Sequence, residues 1–274
     1  MNQYDLISFD MDGTLLNSRQ NISENTKKAI NKAVSENKTV ILSTGRSVSE
    51  LQDYKKDLEN VRYYICSSGA IIFDSFEEQI IYSNTIPSEI VTKIIEASKQ
   101  YDTMIYIASN GYQMCNYSDV LRMEHFLLGK YKDLMLKTAV LLEDIITSFQ
   151  NEMFPVEKLN LFCASAEIRE SLHNILSPLP ITMAYAEAAS LEISPLHVSK
   201  AFGLQKLCDY LSISIEKTIA VGDSDNDIEI IKAAGLSIAM DNAFPHIKAL
   251  CDVIVADNDH DGCAEAIEKY LLGK

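Results

Sequence analysis

Asp10-Met11-Asp12-Gly13-Thr14-Leu15-Leu16 follows directly on Tyr4-Asp5-Leu6-Ile7-Ser8-Phe9, a short and mainly apolar run. Such a run reads as a buried strand, so two carboxylates stand at its end. If the extended conformation continues, Asp10 and Asp12 point to the same side. Two carboxylates that close repel one another, and a divalent cation relieves the repulsion. Magnesium suits the pattern, because it takes one or two carboxylates and completes its shell with water and phosphate oxygens. Alone, the segment also fits a surface turn, since Asp-Gly is common there. A calcium loop starting at Asp10 is excluded by its twelfth position, Asn21, where such loops need a bidentate Glu.

Outward from this stretch the chain alternates strand and helix. A helix follows Ser23, with Ala29, Ile30, Ala33 and Val34 on one face. Thr39 to Leu42 reads as a second buried strand, closed by Ser43-Thr44-Gly45-Arg46. Leu51, Tyr54 and Leu58 have helical spacing, and Tyr63 to Cys66 is a third strand. This alternation predicts a parallel sheet with crossover helices. After about residue 84 the pattern changes. A helix over 87–99 precedes two strands flanking Asn110-Gly111, a strong hairpin signal. A strand near Leu159 to Cys163, a short helix from Glu167 and strands at 181–185 and 191–193 complete an α+β unit. From Ser199 the first pattern resumes, with strands at 218–221, 236–240 and 253–256 and a closing helix over 261–272. The predicted fold is therefore α/β. A Rossmann-like parallel sheet core of residues 1–83 and 188–274 is flanked by helices and carries an inserted α+β unit of residues 84–187.

Four polar clusters fall at the ends of predicted core elements: Asp10 to Thr14, Ser43 to Arg46, Ser199-Lys200, and Gly222-Asp223-Ser224-Asp225-Asn226-Asp227. In an open parallel sheet, ligands bind in the crevice beyond the carboxyl ends of the strands. Clusters distant in sequence thus converge on one point. There Asp223 adds a second carboxylate for a metal, and Asp10 can attack phosphorus in line. Asp12 is placed to protonate the leaving oxygen and later to activate water. Thr44 and Gly45 offer a hydroxyl and backbone N–H groups to a phosphate, or form a plain helix cap. Lys200 neutralises charge on a transferring phosphoryl group, or is a solvated helix lysine. Arg46 admits a substrate contact or a surface ion pair. Asn226 and Asp227 admit phosphate contact and orientation of Lys200, or helix capping. The run Asp223-x-Asp225-x-Asp227 begins like a calcium loop. It fails at Ile228, where Gly is required, and at Ala234, where Glu is required.

Composition narrows the partners. With 39 acidic and 24 basic residues the net charge is −15, which disfavours nucleic acid and anionic membranes. It also requires a cation wherever phosphate is to bind. No apolar run nears the ~20 residues that span a bilayer, and the polar start argues against a secretory signal, so a cytoplasmic location is expected. The six cysteines form no C-x-x-C pair and read as reduced, mostly buried thiols. The five histidines lack metal-ligand spacing, and a structural role is expected for His125, which neighbours Arg122 and Lys130.

Taken together, the four clusters resemble the haloacid dehalogenase-like hydrolase superfamily, and specifically its Cof-like phosphatases, over essentially the whole chain. The resemblance implies that Asp10 is the nucleophile and Asp12 the acid/base. It implies Mg2+ held by Asp10, the backbone carbonyl of Asp12, and Asp223. It places Met11, Thr44, Gly45, Lys200 and Asn226 on phosphate, with Asp227 and Arg46 in support. The family's C2-type cap corresponds to the inserted unit. Ser68-Gly69-Ala70 departs from the usual Asn-Gly-Ala, and His197 and Ala201 flank the lysine where glycines are common. The expected function is Mg2+-dependent hydrolysis of a small phosphorylated metabolite, such as a sugar phosphate, nucleotide or phosphorylated cofactor. A phosphosugar mutase on the same core and a non-catalytic metabolite sensor are the alternatives, and oligomeric state is not legible.

Overall fold

The computed structural model describes residues 3–273. They form two compact units. The first takes the chain up to Gly45, then Asp53–Tyr82, and everything from Ser199 onward; the second is Arg46–Gln52 with Ser83–Val198. In chain order the first unit opens with β1 (Leu6–Phe9), α1 (Glu24–Ser35), β2 (Thr39–Ser43), β3 (Tyr63–Cys66), β4 (Ile71–Asp74) and β5 (Gln79–Ser83). The second unit holds α2 (Ser88–Ser98), β6 (Thr103–Ser109), β7 (Tyr112–Asn116), α3 (Tyr117–Leu121), α4 (Lys132–Thr138) and β8 (Val140–Leu142). It continues through α5 (Ile145–Glu152), β9 (Lys158–Cys163), α6 (Ala166–Leu176), β10 (Ile181–Ala186) and β11 (Ser190–Pro195). The first unit then closes with α7 (Lys200–Leu211), β12 (Thr218–Gly222), α8 (Ile228–Ala233), β13 (Leu236–Met240), α9 (Pro245–Lys248), β14 (Val253–Val255) and α10 (Gly262–Glu265).

The first unit is an eight-stranded sheet in the order β14-β13-β12-β1-β2-β3-β4-β5. From β14 to β3 every pairing is parallel. β4 then runs antiparallel to β3, an extension the sequence pattern did not predict. β1 lies between β12 and β2, with Phe9 level with Val221 and with Leu42. All four of its residues are buried, which explains its nearly continuous apolar sequence. On one face Leu6, Ile41, Ile65 and Ala220 pack against Leu204, Leu207 and Cys208 of α7 and Ile230 of α8. Full burial of Leu204 and Leu207 contributes about 1.5–3 kcal/mol each. Lys200 lies one turn before Leu204 on the same helical face, so the packing that seats α7 also seats its first residue.

The second unit is a six-stranded sheet in the order β10-β11-β9-β6-β7-β8. The Asn110-Gly111 turn forms as the sequence predicts, with φ of 51° and 79°. β11 pairs with both β10 and β9, so residues 188–198 group with this unit and the expected boundary at 187 falls inside a hairpin. The segment 46–52 also belongs here. The Ser49 N–H donates to the Gly111 carbonyl (2.9 Å), and Gln113 Nε2 donates to Glu50 (3.3 Å). The helix expected around Leu51 and Leu58 is instead a 3-10 turn over Ser49–Tyr54. Too few apolar residues anchor that segment for a regular helix to be held by packing. Likewise the expected closing helix is α10 followed by a π-helical turn over Ala266–Leu271.

Candidate active site

The carboxyl ends of β1, β2 and β12 lie side by side, and the polar clusters leave the sheet there. β1 ends at Phe9, not beyond it. Asp10 still donates its N–H to the Val221 carbonyl (3.0 Å). The chain then turns, with Leu15 N–H on the Asp10 carbonyl (3.2 Å) and Leu16 N–H on the Met11 carbonyl (2.9 Å). Asp10 is consequently buried and Asp12 exposed. The expectation that strand alternation aims both side chains alike is therefore corrected: a turn, not a strand, separates them. Gly13 makes that turn possible at φ +82°, and a Cβ there would lie 2.5 Å from Asp223 Oδ2.

Lys200 is the first residue of α7, behind the N-cap Ser199. A cation at a helix N-terminus opposes the helix dipole. Here two carboxylates compensate: Lys200 Nζ donates to Asp10 Oδ1 (2.5 Å) and to Asp227 Oδ1 (2.7 Å). Gly69, at φ +104°, lets the preceding turn approach the Ser199 carbonyl so closely that a Cβ would sit 1.9 Å from it. The two residues before Gly69, Ser67 and Ser68, also have positive φ, a conformation unusual for serine. Ser68 N–H donates to the Thr44 carbonyl (3.1 Å), which ties this turn to the end of β2.

Asp227 serves two purposes. Its Oδ1 accepts from Lys200, while its Oδ2 accepts the N–H groups of Asp223 (3.0 Å) and Ser224 (3.3 Å) and completes a capping box. Capping and orientation of the lysine, alternatives in the sequence, coexist in one side chain. Asp223 Oδ1 accepts from Thr14 Oγ1 (3.0 Å). Ligand oxygens of Asp10, Asp223 and Asp227 lie within 4.8 Å of one another.

Electrostatics follow from this crowding. Burial pushes the Asp10 carboxyl up against the pull of Lys200, and Asp227 and Asp223 push it further. Asp223 is pushed up to about 6, first by burial and then by Asp227, with a smaller push from Asp12. Burial works against the Lys200 ammonium, but Asp10 and Asp227 outweigh it and hold its pKa above the ordinary value. Asp10 and Asp223 shift upward chiefly through burial and Lys200 through its two carboxylate partners, and three carboxylates share this one ammonium. Such a group of hard oxygens carrying excess negative charge fits a divalent cation. Asp227 has both oxygens engaged, so Asp10 and Asp223 are the side chains that fit the ion best.

The remaining predicted residues are distributed as follows. Thr44 is buried at the end of β2, its N–H on the Ile65 carbonyl (2.8 Å), with Gly45 next to it. Met11 is fully buried. Asn226 is exposed and accepts from Ser224 Oγ (2.9 Å). Arg46 groups with the second unit. In the same unit His125 pairs with Asp102 (2.6 Å). Sequence reasoning missed Asn242, Asn258 and Cys263, whose side chains bond the Gly13, Leu16 and Thr14 carbonyls respectively. No spacing signal marks them, because their partners are backbone oxygens more than 220 positions away. No helix among the described residues is long and apolar enough to cross a membrane.

Comparison with known proteins adds to this geometry. The family model for haloacid dehalogenase-like hydrolases matches residues 7–267. Two Bacillus subtilis proteins, both named 5-amino-6-(5-phospho-D-ribitylamino)uracil phosphatase, are similar along nearly the full length. One is 29% identical over 267 residues, covering 97% of this chain and 96% of its own. The other is 28% identical over 278 residues, covering 97% of each. A crystal structure of a haloacid dehalogenase-like hydrolase from Bacteroides thetaiotaomicron superposes with a TM-score of 0.82 at 26% identity, over 97% of this chain and 99% of that one.

Proposed function

Because the chain belongs to the haloacid dehalogenase-like hydrolases and is a phosphatase of small phosphorylated metabolites, we propose that it uses Asp10 as nucleophile and Mg2+ as cofactor. The observation that carries this reading is the buried Lys200 ammonium bonded to both Asp10 and Asp227, with Asp223 in the same cluster. Asp10 and Asp223, with the carbonyl of Asp12, would hold the ion. Bound there, Mg2+ would neutralise charge on the phosphoryl oxygens and allow a dianion to approach Asp10.

Asp10 attacks phosphorus in line, forming a bond from its carboxylate oxygen while the bond to the leaving alkoxide oxygen breaks. Asp12, exposed two residues beyond Asp10, delivers the proton that this oxygen needs. In the second half a water attacks the aspartyl-phosphate. Asp12 takes the proton from that water, the Asp10–phosphorus link breaks, and inorganic phosphate leaves. Lys200 stabilises negative charge throughout, held in place by Asp227. Thr44, Gly45, Met11 and Asn226 bind the phosphoryl oxygens.

The names of the two Bacillus subtilis relatives suggest the first compound to try, a phosphomonoester on a ribityl chain. Purified protein with Mg2+ is assayed for phosphate release from that compound, from a panel of sugar phosphates and nucleotides, and from a generic aryl phosphate. Asp10→Asn is expected to abolish turnover of all of them. Wild-type turnover of the aryl phosphate by Asp10→Asn would remove Asp10 as nucleophile.

A further inference from the structure

The loop after Asp10 is gripped from one side by a distant segment. Three of its backbone carbonyls accept from side chains between residues 242 and 263. Asn242 Nδ2 donates to Gly13 (2.7 Å), Cys263 Sγ to Thr14 (3.3 Å), and Asn258 Nδ2 to Leu16 (2.9 Å). The first and third of these donors are linked, because Asn258 N–H donates to Asn242 Oδ1 (3.1 Å). On its other side the same loop presses on Asp223. Thr14 Oγ1 donates to Asp223 Oδ1 (3.0 Å), and the Gly13 Cα stands where a Cβ would meet Asp223 Oδ2 at 2.5 Å. The dipeptide Gly13-Thr14 is thus a spacer between the 242–263 segment and the Asp223 carboxylate. It is also the direct continuation of the turn that begins at Asp10.

We propose that Asn242 is a positioning residue for this site: by fixing the Gly13 carbonyl, with Asn258 as its support, it sets the separation of the Asp10 and Asp223 carboxylates. The proposal rests on the phosphatase reading and concerns the same site. Asn242 touches neither carboxylate and acts only through Gly13. Losing its amide donor lets the Gly13 peptide rotate, and Thr14 then no longer aims its hydroxyl at Asp223. A displacement on the order of 1 Å at a reacting group costs about 100-fold in rate, so a partial loosening is expected to cost about 10-fold. Asn242 is exposed, so replacing it leaves no cavity and the fold tolerates the change.

Asn242→Asp is the informative variant. It keeps the acceptor for Asn258 N–H and replaces the donor on Gly13 with an oxygen. Asn242→Ala, which adds no charge, removes both. Both variants are expected to lower kcat about 10-fold with substrate KM nearly unchanged, to raise the Mg2+ concentration for half-maximal activity, and to shrink the Mg2+-induced rise in Tm. Backbone amides of residues 13–16 are expected to exchange hydrogen faster in both. Ser237→Ala is the stability control, because it removes the Ser237–Asp252 tie (2.7 Å) on β13 without touching the loop. Wild-type kcat and a wild-type Mg2+-induced Tm shift in both Asn242 variants would overturn the proposal. So would an equal fall in kcat in Ser237→Ala. Should the wild-type protein hydrolyse no phosphomonoester, the phosphatase mechanism fails, while the Mg2+-induced Tm shift and amide exchange still decide the role of Asn242.

Discussion

Replacing Lys200 with Met keeps the length and most of the volume of the side chain and deletes only its charge. The Nζ lies 2.5 Å from Asp10 and 2.7 Å from Asp227, and the lysine side chain is 1% exposed. Removing one member of a buried ion pair costs about 3–5 kcal/mol, since the partner stays buried and uncompensated. Two carboxylates are stranded here, but the Asp10 carboxyl already holds a proton more tightly than usual and can take one up. The expected cost is therefore at the low end, about 3 kcal/mol, or roughly 6–12 °C in Tm for a chain of this size. Adding Asp227→Asn removes one stranded charge and keeps an oxygen for the Asp223 and Ser224 N–H groups. Lys200→Met/Asp227→Asn is expected to regain more than half of the lost Tm. Activity behaves differently, because no ammonium then faces the phosphoryl group beside the cluster. Both variants are expected to lose about 100- to 1000-fold in kcat. Thermal unfolding by far-ultraviolet circular dichroism, without Mg2+, is set beside phosphate release with Mg2+. A Lys200→Met protein melting within a degree of wild type, or a double variant that regains turnover, would refute the reasoning.

Other expectations follow from single contacts. Glu157 is 1% exposed; its Oε1 accepts from Asn110 N–H (3.1 Å) and Ser83 Oγ (3.3 Å), its Oε2 is buried without a partner, and burial pushes it up to about 7. A raised carboxyl pKa means the folded state binds the proton more tightly, so stability is lost as pH rises from about 4.5 to about 7. Glu157→Gln is expected to match wild type near pH 4.5 and to exceed it by about 3 kcal/mol at pH 8 in urea denaturation; an equal difference at both pH values would contradict this. Gly13→Ala meets both a positive φ and the Asp223 carboxylate, and is expected to abolish phosphate release while lowering Tm by several degrees. Chelation with EDTA is expected to abolish activity and lower Tm, with Mg2+ restoring both. Recovery of activity by monovalent salt alone would remove the divalent ion from the account.

The candidate site was legible in the sequence because its residues occur in short local runs at the ends of apolar strands. Asp10 to Thr14 and Gly222 to Asp227 each announce themselves without tertiary information. The direction of Asp12 was not legible, because whether a strand continues one residue further depends on hydrogen bonds such as Leu15 to Asp10. The β4–β5 hairpin was missed for a related reason. Its connection, Ser75-Phe76-Glu77-Glu78, has no Asn-Gly or Asp-Gly signal. It is held instead by Asp74, which accepts from the Phe76 and Glu77 N–H groups and pairs with Arg62. A pattern can also match where no site forms. Residues 257–268 match the full pattern of a calcium loop, with Asp257, Asp259, Asp261, Gly262 and Glu268 in the required places. In the fold those carboxylates diverge. Asp259 bonds Ser18, Asp261 bonds Ser23 and Asn25, and Asp257 bonds His260. Spacing specifies a site only when the backbone turns the side chains inward, and here Asp259 and Asp261 tie this segment to Ser18, Ser23 and Asn25 instead.

Charge arithmetic explains why a lysine is buried at all in a chain of net charge −15. At physiological ionic strength the Debye length is about 8 Å, so the acidic surface acts on a phosphate only at short range. What matters is the cluster itself: Asp10, Asp223 and Asp227 against Lys200 leave two negative charges when all are ionised. A phosphate dianion approaching that group meets repulsion in a desolvated setting, where it is strongest. One divalent ion brings the cluster to neutrality, and the lysine alone cannot. Burial first, and the neighbouring carboxylates after it, displace both Asp10 and Asp223 upward, so these groups hold protons more tightly than ordinary carboxyls. Protons and a divalent cation would therefore compete for these carboxylates, while the lysine holds Asp10 and Asp227 in place.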